Sequence, residues 1–145
     1  MSEKEKTKPK GFKFSNFKVN KDKAENGVDF QYAPTLMLRV ARFNSPKVQN
    51  YLRKKQKPFM RQINQGTMDE ETSRDILRKV LARFCLLGWK GLIDDDGKAI
   101  PYSPEKAEEL LRETDFLTEI LEICQSRETF QDLDEDDFEE AKGNS

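Results

Sequence analysis

The chain contains no histidine. That single absence removes imidazole acid–base relays, Ser-His-Asp triads and His-ligated metal centres together. Cysteine is nearly as scarce: the two residues, Cys85 and Cys124, stand far apart without C-x-x-C spacing and do not make a zinc ligand set. Each lies in an apolar helical stretch, the pattern of a buried reduced thiol rather than a disulfide. No apolar run approaches bilayer-spanning length, and the N-terminus has no apolar core of the signal-peptide kind. Neither G-x-G-x-x-G nor G-x-x-x-x-G-K-[ST] occurs, and Gly88, Gly91 and Gly97 are spaced for turns rather than for a phosphate cradle. Carboxylates remain as the acid–base groups, and no pocket motif frames them. The expectation is therefore a protein that is not an enzyme and takes no cofactor and no metal.

Charge is what the chain has in plenty. Of 145 residues 37% are charged and 35% hydrophobic, yet the formal net charge is −1, so only the segregation of charge carries information. Residues 1–11 are Lys/Glu-rich with no apolar anchor beyond Met1, and residues 131–145 are strongly acidic, with Asp134, Glu135, Asp136 and Asp137 in a row. Neither end offers enough apolar surface to offset its ordering entropy, so both are expected to be disordered, flanking a single mainly helical domain at 12–130.

Within that domain the punctuation is local. Phe-Lys-Phe alternation at the start of the run holding Phe12, Phe14 and Phe17 favours a strand. Asn26-Gly27 supplies a turn before a run that puts Val28, Phe30 and Tyr32 on one face, and Leu36, Leu38 and Val40 form a third alternating run. Ser45-Pro46 opens a helix by hydroxyl cap and proline at the first helical position, and Pro58 interrupts it. Its apolar positions are Val48, Tyr51 and Leu52, with Phe59, Met60 and Ile63 beyond the break. Thr67 followed by Glu70 reads as a capping box, and Ile76, Leu77, Val80, Leu81, Phe84 and Leu87 trace the stripe of the longest helix, ending at Gly88. Asp96-Gly97 then turns a hairpin between Lys90 to Asp94 and Lys98 to Tyr102. Ser103-Pro104 restarts a helix, and Phe116 to Cys124 form a last one that frays near Arg127 to Phe130. The fold class is α+β, predominantly α: a small N-terminal β segment, one internal β-hairpin and a helical core built after Thr67.

Gly88, Trp89, Gly91, Leu92, Asp94, Asp96, Gly97, Ile100, Pro101, Tyr102, Ser103, Glu105, Ala107, Leu110 and Leu111 form a G-W-x-G-[LI]-x-D-x-D-G-x-x-[IL]-P-[YF]-S-x-E-x-A-x-x-L-L pattern. It resembles the tail assembly chaperones of long-tailed, siphovirus-type bacteriophages, and the likeness extends upstream through Val28 to Lys54. The resemblance implies a chaperone that binds the tape measure protein, helps recruit tail tube subunits and is lost from the finished virion. It also implies a host-cytoplasmic location, with self-association possible and no membrane contact.

Partner contacts are placed at Tyr51, Leu52, Phe59 and Met60, a surface flanked by bases that suits an acidic amphipathic helix. Trp89 and Tyr102 join them, although packing is the favoured role for Trp89, its indole N–H seeking a carbonyl. Lys47, Arg53, Lys54, Lys55, Lys57 and Arg61, with Arg74, Arg78, Lys79 and Arg83, could instead follow a phosphate backbone, but a pI of about 5.7 and the lack of a nucleic-acid module favour a solvated helix face. The acidic tail folding over these bases is a third use. The Asp94-Asp95-Asp96-Gly97 turn does not make a calcium loop, because the first and last ligand positions fall on Leu92 and Ser103. A nucleic-acid-binding or regulatory protein, and a structural tail component retained in the virion, stand as the alternatives to a chaperone.

Overall fold

The structure, a computed structural model, describes residues 11–131. Apart from Gly11 and Gln131, the basic leader and the acidic tail lie outside the described residues. The rest is α+β with helix predominant, as its patterning implies. Asn20 caps a short helix, α1 (Lys21–Asn26), its side chain accepting from the Lys23 N–H, and Gly27 ends it at φ +92°. Strands β1 (Val28–Ala33) and β2 (Leu36–Val40) follow, joined through Pro34-Thr35. Helix α2 (Pro46–Gln56) begins as expected, with Ser45 Oγ accepting from Val48 N at 3.3 Å. Pro58 diverts it into a tight turn at Lys57–Phe59 before α3 (Met60–Gln65). Helix α4 (Glu70–Val80) widens into a π-turn at Leu81–Cys85 and runs directly into β3 (Leu86–Lys90). Helices α5 (Pro104–Leu110) and α6 (Thr114–Gln125) complete the chain, α5 again capped by a serine, Ser103 Oγ accepting from Lys106 N at 3.0 Å.

Three expectations fail at the long helix and after it. The helix ends at Cys85 rather than Gly88, and Leu86 to Lys90 pair antiparallel with β2, giving the order β1–β2–β3. A stripe of leucines fits either a helix or a buried strand. Pairing decides, with Leu38 opposite Trp89, Val40 opposite Leu86, and Ala41 N donating to Cys85 O at 2.8 Å. The hairpin at 90–102 shrinks to one bridge, Ile93 with Ala99. Gly91, at φ +89°, turns the chain out of the sheet, and a Cβ there would overlap the Thr35 carbonyl oxygen. The Thr67–Glu70 capping box does not form either. Thr67 N donates to Gln62 O to close α3, and Asp69 stands at the N-cap of α4.

Two further corrections come from the ends. Phe12 to Phe17 make a 3-10 turn at Phe14–Phe17 rather than a strand, because no strand among the described residues pairs with them. Phe130, expected to fray, is fully buried, and its carbonyl accepts from Asn20 N at 2.9 Å. The core is accordingly wider than the helices after Thr67. Leu38, Val40 and Val48 join Val80, Leu81, Leu86, Leu111, Ile120 and Phe130 in one cluster. Cys85 and Cys124 are free and buried within it. A hydrogen bond to Cys85, followed by burial, holds the Cys124 thiol far above its ordinary pKa, so both sulfurs serve as packing atoms.

Candidate functional site: one basic limb, one acidic groove

The six partner residues named from sequence fall into two separate groups. Tyr51, Leu52, Phe59 and Met60 share the α2–α3 limb. Tyr51 sets its ring edge-on to Phe84, centroids 5.1 Å apart, with Arg83 and Lys55 over it at 5.3 and 5.4 Å. Leu52 packs half-buried against the core, Phe59 is half-buried, and Met60 stands 45% exposed. Residues 43–68 contain six cations and no carboxylate. None of the six forms an ion pair among the described residues, whereas on α4 Arg74 pairs with Glu70, and Arg78 and Lys79 pair with Asp75. Among the described residues the limb is thus a basic surface without ion-pair partners.

Trp89 and Tyr102 lie elsewhere, beside β3. Trp89 is buried, and its Nε1–H donates to the Ile100 carbonyl at 2.7 Å. The Tyr102 hydroxyl donates to the Leu86 carbonyl at 2.7 Å, and the two rings meet edge-on at 4.9 Å. Burial, followed by the charge of Glu105, raises the Tyr102 pKa. Asp94 Oδ1 accepts from the N–H groups of Asp96 and Lys98, both at 2.9 Å. Glycine, tryptophan, aspartate, tyrosine and serine of the motif are therefore a structural lock that joins β3 to α5. One side of Trp89 and Tyr102 also lines a groove of about 340 Å³ with Met37, Arg39, Leu87 and Lys90.

A further site was not foreseen. Two adjoining recesses, of about 360 and 430 Å³, run between α6 and the β1–β2 edge and share Glu119. Tyr32, Leu36, Leu38 and Leu92 with Phe116 and Ile120 line the first, and Phe30 and Ile123 reach the second. Among the described residues, every charged residue lining the two is a carboxylate: Asp115, Glu119, Glu122 and Glu128. None of these forms an ion pair among the described residues. Sequence did carry a signal for it, since Asp115, Glu119 and Glu122 recur at helical spacing beside Phe116, Ile120 and Ile123. The facing Phe30, Tyr32 and Leu36 come from residues far away in the chain, and only the fold brings them together.

Among the described residues no group of three or more Cys, Asp or Glu could hold a metal ion, and no helix is long and apolar enough to cross a membrane. Fold and surfaces define a small α+β protein marked, among the described residues, by an unpaired basic limb and an acidic apolar groove. The model of the YdaY prophage protein family matches residues 43–141, and the chain belongs to that family. The match takes in both α2–α3 and α6, and leaves out Phe12 to Phe17 and the β1–β2 hairpin. No curated protein and no solved structure matches the chain.

Proposed function

We propose that this prophage protein is a tail assembly chaperone, which binds the tape measure protein in the host cytoplasm, helps recruit tail tube subunits and leaves before the virion is finished. The observation that carries the reading is the α2–α3 limb. Tyr51, Leu52, Phe59 and Met60 sit there, partly or largely exposed, among six cations without a carboxylate. An amphipathic helix with an acidic face would lay its apolar side over Met60 and Phe59 and its carboxylates against Lys54, Lys55 and Lys57. Prophage family membership and the motif between Gly88 and Leu111 support the same reading. The chain then works by recognition alone.

Co-expression with the tape measure protein of the same prophage tests this. The long chain should become soluble and copurify, and the double variant Tyr51→Ala, Met60→Glu should reduce the yield of complex at least about tenfold. A tape measure protein that stays insoluble and does not copurify overturns the reading. The same cations favour a second reading, a nucleic-acid-binding protein. Retention of nucleic acid that collapses as salt rises, with no gain in tape measure solubility, would select it. A tail component kept in the particle would instead be found in purified virions.

A further inference from the structure

We infer that the acidic groove along α6 receives the Phe12–Phe17 segment of a second copy of this chain, so that copies associate head to tail. The groove offers apolar walls from Tyr32, Leu36 and Phe116, rimmed by Asp115, Glu119 and Glu122. What fits it is a short segment with aromatic rings at close spacing and cations beside them. Such a segment exists in this chain. Phe12, Phe14 and Phe17 are 39%, 80% and 51% exposed, with Lys13 between the first two and Lys18 directly after the third.

Three exposed phenylalanines within six residues are a large apolar surface to leave in water, and apolar burial is what drives most protein association. Neither lysine has an ion pair among the described residues, and neither have the groove carboxylates. Each surface therefore lacks what the other supplies. In its own chain the segment is turned on itself. Phe12 meets Phe17 edge-on at 5.3 Å, Phe14 lies 6.1 Å from Phe17, and the rings remain outside the recess. A donor surface and an acceptor surface that differ make a heterologous contact, which repeats from copy to copy and forms a ring or an open chain. This association stands independently of the chaperone reading.

Sedimentation of the full-length chain over a wide concentration range tests it, with two variants. One carries Phe14→Ser and Phe17→Ser, which removes the donor. The other carries Glu119→Lys and Glu122→Lys, which removes the acceptor. All four positions are solvent-accessible, and circular dichroism checks that each variant stays folded. The unsubstituted chain should form oligomers that grow with concentration. Each variant alone should weaken association at least about tenfold, and an equimolar mixture should form a one-to-one dimer, since each supplies the half the other lacks. A chain that stays monomeric throughout, whether the groove is empty or filled by its own segment, overturns the inference. So does an oligomer that neither variant weakens, or a mixture that fails to complement.

Discussion

Helices α2 and α6 are built by the same amphipathic logic and end with opposite surfaces and opposite anchorage. Helix α2 has no acidic residue and buries one side chain, Val48, while α3 buries none. Helix α6 has no basic residue and buries Leu117, Ile120, Ile123 and Cys124. The acidic helix is thus a wall of the core with a groove beside it. The basic limb is held by one valine, a serine cap and the half-buried Tyr51 and Leu52. Where few apolar groups hold an element, it opens at low free energy, so a partner can remodel the limb but not the wall.

The comparison breaks most decisively at Ile120. Ile120→Ala empties a fully buried site and should cost roughly 2–5 kcal/mol in a urea titration, followed through the buried Trp89. The matching change on the limb, Val48→Ala, should cost about 2 kcal/mol, because fewer methyl groups leave the core. Ser45→Ala and Ser103→Ala remove twin caps and should each cost about 1 kcal/mol. Only Ser45→Ala should raise amide hydrogen exchange across α2 and α3 while α6 keeps its protection.

The lock between β3 and α5, outside both helices, adds a contrast by pH. Tyr102→Phe loses the bond to the Leu86 carbonyl and should cost about 1 kcal/mol at neutral pH. The folded phenol has a raised pKa, so its contribution is complete below the unfolded value of 10.0 and is lost as pH climbs through the folded one. The stability gap between the two proteins should therefore shrink above pH 10. The smallest effect is at the limb's exposed cations. Lys54→Glu with Lys55→Glu should alter stability by less than about 0.5 kcal/mol, yet reduce tape measure recovery or polyanion retention, whichever the limb serves.

How far the sequence could be read depended on how local each determinant was. Ser45-Pro46, Ser103-Pro104, Pro58 and Gly27 acted on their own neighbours and appeared where the residues put them. The α6 stripe and the β1–β2 alternation were equally legible. Leu86 to Lys90 read locally as the end of a helix and the start of a hairpin, whereas their strand identity rests on β2, more than forty residues upstream. The same holds for the sites. The limb residues Tyr51 to Met60 are neighbours in sequence and were named from it, whereas the groove joins Tyr32 and Leu36 to Phe116 and Glu119.

By itself the sequence determined which helices begin at serine and proline, which face of each is apolar, and that no histidine chemistry is available. All of these are settled within a few residues by capping, periodicity and composition. The tertiary structure decided that a leucine-rich stretch becomes the third strand, that Gly91 must pass beneath the Thr35 carbonyl, and that four carboxylates gather along one apolar groove. Those outcomes depend on hydrogen bonds and packing between residues distant in the chain, and local propensity holds no information about a partner that only folding brings near.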